Sequence, residues 1–336
     1  MTCPAQPGTA GGGETQGYKE SPVKGPALLL AGIVSFSLLD ATGKLLSGTY
    51  PLAQAIGVRW AVVLGLILVL RAVVPQAGGP LRTAMPRLHL LRSCVMVFSA
   101  AGFYLGFRRV PLAEGYLVFF TAPFMTLALT PLLLKERVPG AAWLWSAVGF
   151  GGVLVSVLQK LGDGGSIAGY LFILMGTACF ALTQAMNRMM RAESGWARMV
   201  FWGAVVGVLA YGPVAAVQWV PPTPTAWAML AANGVLAAAG VVLSAAAYRL
   251  ADPARLGPYG FAALPVSVLL DWLIWSTAPE AATILGGCVV VFACVMSERA
   301  RRRALLQGML AGKTCSPAAS SGSATTVRTA ASGSGP

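Results

Sequence analysis

Apolar stretches long enough to cross a bilayer recur along this chain, separated by short polar breaks. They fall at 26–46, 52–74, 88–107, 111–134, 140–158, 167–190, 195–217, 225–250, 254–275 and 280–297. About 20 apolar residues in a helix span the hydrocarbon, and a helix satisfies its own backbone hydrogen bonds where water is missing. The pattern predicts an all-α polytopic membrane protein of about ten transmembrane helices. Pro123, Pro131, Pro213, Pro258 and Pro265 lie inside spans, which membrane helices tolerate when neighbours satisfy the freed carbonyls. The first stretch, 1–25, is rich in Gly, Pro, Thr and Gln and reads as a disordered cytoplasmic arm. The last, 298–336, is basic and then rich in Ser, Ala, Gly and Thr, and reads as an unstructured cytoplasmic tail beyond Arg303.

Composition strengthens this picture. Of 336 residues, 56% are hydrophobic and 10% charged, against about 25% charged in soluble domains. The net charge of +13 would suggest nucleic acid in a soluble protein, but here the basic residues gather in alternate loops and the C-terminal segment. With both ends in the cytoplasm, nineteen of the Lys and Arg residues lie on that side. Only Lys44, Arg108, Arg109 and Lys160 face the other, and Arg59 stays inside the second span. The positive-inside rule therefore predicts both termini in the cytoplasm of a cell whose inner (plasma) membrane holds the protein, with no nucleic-acid partner.

The two halves repeat a spacing. Phe36, Asp40 and Lys44 in the first span are matched by Phe180, Gln184 and Arg188 in the sixth, and Pro123 of the fourth span has a counterpart in Pro265 of the ninth. Five crossings per repeat turn the second copy upside down. The expected organisation is two inverted five-helix repeats, 26–158 and 167–297, a design of secondary transporters that places the substrate between halves.

The run Asp40-Ala41-Thr42-Gly43-Lys44-Leu45-Leu46, then Tyr50-Pro51, Gln54 and Arg59, resembles the EamA branch of the drug/metabolite transporter superfamily. Pro111-Leu112-Ala113, Pro123 and Leu134-Lys135-Glu136-Arg137-Val138 extend the resemblance. Where the family often has a glutamate after the fourth helix of the second repeat, this chain has Trp275-Ser276-Thr277-Ala278-Pro279. The resemblance implies a helical bundle around a central cavity. It also implies small organic substrates such as amino acids, nucleotide-like metabolites or drugs, moved without a cofactor. Proton coupling and assembly as a homodimer are both compatible with it.

Charges inside the membrane cost about 2.5–3.5 kcal/mol each on insertion scales, so each asks for a partner or a task. Asp40 and Lys44, four apart, share a helical face and can pair; Arg59 lies at similar depth. The sequence admits two readings of this cluster, an ion-pair network locking the first two helices or a site for substrate or a coupling proton. Arg59 suits the structural role, since a guanidinium stays charged and holds two partners in fixed geometry. Asp40 suits the functional one, because a carboxylate shielded from water can take up and release a proton. Glu114, at the start of the fourth span, either favours the helix N-terminus or faces substrate. Asp271 sits about a turn from the external end of the ninth span and reaches either water or a basic partner. Gln184 either bonds a neighbouring helix or faces the cavity. Tyr116 and Tyr259, with Tyr104, Phe119, Phe120 and Tyr248, offer apolar walls and hydroxyl handles, or pack between helices. Glu136 belongs to the cytoplasmic surface.

No cysteine pair has zinc or redox spacing, and the one histidine, His89, falls in a basic loop. A metal centre, a rhomboid-like protease and a His-Glu-x-x-His enzyme are all disfavoured. The sequence thus points to a secondary transporter, with a passive channel or structural subunit as the rival.

Overall fold

A computed structural model describes residues 24–134, 138–162, 164–190, 193, 195–250, 256–277 and 281–314. The arm before Lys24, Glu136 with its two neighbours, Asp163, Pro253 and the tail beyond Thr314 lie outside the described residues. Those described are helical and short-looped. The helices are α1 (Lys24–Leu46), α2 (Leu52–Val73), α3 (Pro86–Phe107), α4 (Leu112–Phe119), α5 (Ala122–Leu129), α6 (Gly140–Gly162), α7 (Ile167–Met189), α8 (Trp196–Val217), α9 (Pro224–Leu250), α10 (Ala263–Trp275) and α11 (Ala281–Thr314). Among the described residues nine helical segments are long and apolar enough to cross a membrane, and Tyr259–Trp275 is a shorter tenth.

The boundaries follow local chemistry. Proline opens α3 and α9, where its missing N–H costs nothing. The Ser166 hydroxyl accepts from the Gly169 N–H at 3.2 Å and caps α7. Ser276, at φ 53°, ends α10 in a left-handed turn. The fourth span is broken: α4 stops at Phe119, α5 begins at Ala122, and Thr130–Leu134 winds as a π turn. Pro123 and Pro131 have no N–H to continue the ladder, which accounts for both interruptions. The ninth span mirrors this with a 3-10 turn, Gly257–Ala262, ahead of α10. One expectation fails here. The helix α11 runs through the basic segment to Thr314, where the sequence suggested an irregular tail from Ala304. Ala304-Leu305-Leu306-Gln307 and Met309-Leu310-Ala311 are strong helix formers, so the helix propagates past the membrane edge.

Each principal helix pair joins one half to the other. The pairs are α1 with α9, α3 with α7, α2 with α8, α6 with α11, and α4 with α10. Counted as spans they are 1–8, 3–6, 2–7, 5–10 and 4–9, a set left unchanged when the halves exchange places. The crossing points obey the same exchange. A Cβ on Gly32 would lie 2.7 Å from Ser244 Oγ and 3.3 Å from the Gly240 carbonyl. One on Gly102 would lie 2.7 Å from the Phe172 carbonyl and 2.8 Å from Gly176 Cα. Gly32 stands four residues before Phe36, and Gly176 four before Phe180, so the matched spacing extends one turn further than polarity alone indicated. Small residues let the backbones approach where lipid supplies no hydrophobic drive. The outer faces carry the large apolar side chains, such as Val69, Leu144, Val155 and Leu285, as a lipid solvent requires.

Candidate functional site

The charged residues of the first span do not pair with one another. Tyr116 of α4 donates its hydroxyl to Asp40 Oδ2 at 2.7 Å. Lys44 turns instead to other helices: its ammonium donates to the Val110 carbonyl at 3.0 Å and, in the second half, lies 3.8 Å from Asp271 Oδ1 and 4.5 Å above the Trp275 ring. Arg59 is buried and donates from Nε to Asn233 Oδ1 at 2.6 Å. The Asn233 amide in turn donates to the Leu39 carbonyl and to Thr42 Oγ1, both at 2.8 Å. The i,i+4 pair expected from the sequence is therefore replaced by two tertiary networks. An exposed i,i+4 pair is worth only about 0.3–0.5 kcal/mol, so partners on packed helices outcompete it. The charge of Arg59 still reaches Asp40 through space.

Asp271 serves two purposes at once. Its oxygens accept from the backbone N–H groups of Leu112 at 3.1 Å and Ala113 at 2.8 Å, the first turn of α4. A carboxylate there satisfies two orphan donors and meets the positive end of the helix. It is an N-cap supplied from the other half of the chain, while the Pro111 side chain at the cap position makes no hydrogen bond. Glu114, one turn into α4, accepts from the Tyr170 hydroxyl at 2.5 Å and pairs with Lys160 at 3.3 Å, tying α4 to α6 and α7. Asp40 with Tyr116, and Lys44 with Asp271, are thus brought together. Gln184 and Tyr259 are not. Gln184 is exposed and accepts from the Asn187 amide at 3.0 Å. Tyr259, 38% exposed, lies in the 3-10 turn at the other end of the ninth span.

Rings cluster around Tyr116. Phe119 meets Tyr116 at 6.0 Å, Phe103 at 5.6 Å and Phe180 at 5.2 Å between centroids, each edge to face. Phe120 meets Phe261 at 5.6 Å. Phe103, Phe119, Phe180 and Phe261 stay half-buried despite these contacts. Among the described residues no three His, Cys, Asp or Glu side chains converge as metal ligands would.

Three groups escaped the sequence reading. Asn233, 1% exposed, was signalled by a lone polar residue in the apolar run Ala231-Ala232-Asn233-Gly234. Arg92, within the third span, is buried and donates to Asn187 Oδ1 at 2.5 Å and to the Met199 carbonyl at 3.2 Å. Glu193 gave no signal at all. It accepts from the Thr83 hydroxyl at 2.8 Å, the Ala84 N–H at 2.7 Å and Arg198 at 2.9 Å, and holds His89 Nε2 at 2.8 Å. His89, placed in a loop by the sequence, belongs to the first turn of α3 and is fully buried. Burial pushes the Glu193 carboxyl up, but the bonds from His89, Thr83 and Ala84 and the charge of Arg198 outweigh it and hold the group at about 2. On the opposite face Gln54 makes a two-way bond with Val220, donating to its carbonyl at 2.7 Å and accepting from its N–H at 3.0 Å.

Interlocked helical halves, two broken spans and an internal carboxylate among rings define a multi-pass membrane protein of the carrier type. Its residues 167–298 match the EamA-like transporter family. It is similar to the S-adenosylmethionine uptake transporter of Rickettsia conorii, 24% identical over 67% of this chain and 76% of that one. The pseudopaline exporter CntI of Pseudomonas aeruginosa is 28% identical over 82% and 96%. The riboflavin transporter of Rhizobium johnstonii is 27% identical over 82% and 91%. A solved crystal structure shares the fold with a TM-score of 0.60 at 17% identity, covering 84% of this chain and 99% of the other.

Proposed function

We propose that this chain is a secondary transporter that carries a small organic metabolite by alternating access across the cell's inner membrane, both termini in the cytoplasm. The observation that carries the reading is the stacking of two contacts along α1. Asp40, with Tyr116, lies inside the bundle, and Lys44, one turn outward, closes on Asp271 of the other half. A polar site with a charged closure between opposed halves is what alternating access requires. The segments 26–158 and 167–297 act as the two halves, and the site is complete within one chain. The distribution of Lys and Arg supports the orientation. The relatives' names, an uptake transporter for S-adenosylmethionine, an exporter for pseudopaline and a transporter for riboflavin, support organic solutes and leave direction to the gradient.

Asp40 is also the group to carry a coupling proton. The test is flux of labelled S-adenosylmethionine and riboflavin in proteoliposomes at several pH values. Saturation, with acceleration by unlabelled solute on the far side, is expected. Flux that neither saturates nor exchanges would hand the protein to the channel reading. Asp40→Asn should flatten the pH dependence; wild-type rates at every pH would end the proton role.

A further inference from the structure

Resting on the transporter reading, we propose that the inner site takes an organic cation bearing a flat ring, with Asp40 as its counter-ion and Phe119 as its ring partner. The first support is the lack of a direct charged partner at Asp40. Glu114, Asp271 and Glu193 each hold a basic group at 4 Å or less: Lys160, Lys44 and Arg198. Asp40 has no basic nitrogen at that distance among the described residues. Its contact is the neutral Tyr116 hydroxyl, and the one guanidinium nearby, Arg59, is turned to Asn233. A carboxylate kept inside the membrane against its desolvation, answered by Arg59 only through space, can take a positive ligand as its direct partner.

The second support is the ring arrangement. Tyr116 links Asp40 directly to Phe119, which meets Phe103 and Phe180 edge to face at 5.6 and 5.2 Å. These three phenylalanines remain half-buried, so each keeps surface for a ligand. Ring faces attract cations and stack with planar groups, most strongly where water is excluded. The third support is the repeat itself. Phe180 holds the position of Phe36, whereas the position of Asp40 is taken by Gln184, which is exposed and neutral. The charge of the site thus comes from one half alone, while its rings come from both. A single positive centre beside a ring matches that asymmetry; a dianion or a plain sugar does not.

The test uses purified full-length protein and matched probes. S-adenosylmethionine and S-adenosylhomocysteine share the adenosyl ring and differ by one methyl group and its positive charge. 1-Methylnicotinamide and nicotinamide differ likewise, and tetramethylammonium carries charge without a ring. In each matched pair the charged member should bind at least about tenfold more tightly, and tetramethylammonium should bind more weakly than either ring cation. Asp40→Asn, which can still accept from Tyr116, should erase the preference within pairs. Phe119→Leu should weaken ring compounds while sparing tetramethylammonium. Equal affinity within pairs, or a preference that survives Asp40→Asn, overturns the charge assignment. Tetramethylammonium binding as well as the ring cations overturns the ring assignment. No binding of any ring cation to protein that elutes as a folded species overturns the inference entirely. Saturable exchange of riboflavin in the same vesicles would still leave the transporter reading standing.

Discussion

The two sides of the bundle are fastened differently. On the side of α2 and α8, contacts between the halves exist at both membrane faces. Gln54 and Val220 bond at one end, and Glu193 gathers Thr83, Ala84 and His89 at the other. The helices between are continuous, although α8 contains Pro213. On the side of α4, α5 and α10 the spans are interrupted by a π turn and a 3-10 turn. The ion pair and hydrogen bonds between halves described there, from Lys44 and α4 to Asp271 and from Tyr170 to Glu114, lie toward the external face, and deeper in the bundle the halves meet through rings such as Phe120 and Phe261. A wall held at both ends resists rocking, whereas broken helices absorb backbone change at few residues. On the transporter reading, alternation between faces is expected at the fourth and ninth spans, with the α2–α8 wall as the frame.

The largest expected effect comes from locking each side in turn. In a cysteine-free background, cross-linking Lys44→Cys to Asp271→Cys should cut exchange in proteoliposomes by about tenfold or more. Cross-linking Gln54→Cys to Val220→Cys should change it by less than about twofold. The reverse ranking would exchange the roles of frame and moving part. Next comes Asn233→Leu, which strands the buried Arg59 guanidinium without its partner. Leaving a buried charge unpaired costs about 3 kcal/mol, read as a lowered midpoint of unfolding in detergent. Asn233→Asp should recover most of it.

A smaller effect separates the two faces of the frame by pH. Glu193 stands at about 2 in the folded protein against an ordinary 4.5, so the unfolded chain binds its proton first. Its stabilisation is complete above about pH 4.5 and is lost as the pH falls from there toward 2. Thermal midpoints should drop across that window, and Glu193→Gln should flatten the drop. The smallest belongs to Gln184→Ala, which removes one exposed bond to Asn187 and should shift stability by under about 0.6 kcal/mol. A large loss of transport in that variant would place Gln184 at the substrate.

The spans were legible because bilayer thickness imposes their length whatever else the sequence does. The ninth, expected at 254–275, emerges as Gly257–Ala262 followed by Ala263–Trp275, close to what apolar content alone gives. The spacing of Phe36, Asp40 and Lys44 suggests a repeat, since polar residues within apolar spans are scarce enough for their spacing to stand out. Partners were not legible. Asp40 and Lys44 are neighbours on a helix, but three-dimensional packing offers each a better contact, Tyr116 and Asp271, that no local rule can locate. Glu193 illustrates the other limit. In a loop with Arg191 and Arg198 it resembles any solvated charge, and its importance depends on Thr83 and His89 more than a hundred residues earlier. The tail failed for a third reason. Its Ala and Leu content favoured helix, but the Ser and Gly further on dominated the reading.

The bond from Asp271 to the start of α4 has a consequence for the order in which the protein is built. Leu112 and Ala113 emerge from the ribosome well before Asp271 does, and their N–H groups have no cap of their own until it arrives. Membrane insertion of the first half therefore leaves the fourth span with an unfinished end. The nascent chain completes that helix only when its penultimate span enters the bilayer, so a truncated product carries the flaw that quality control can read.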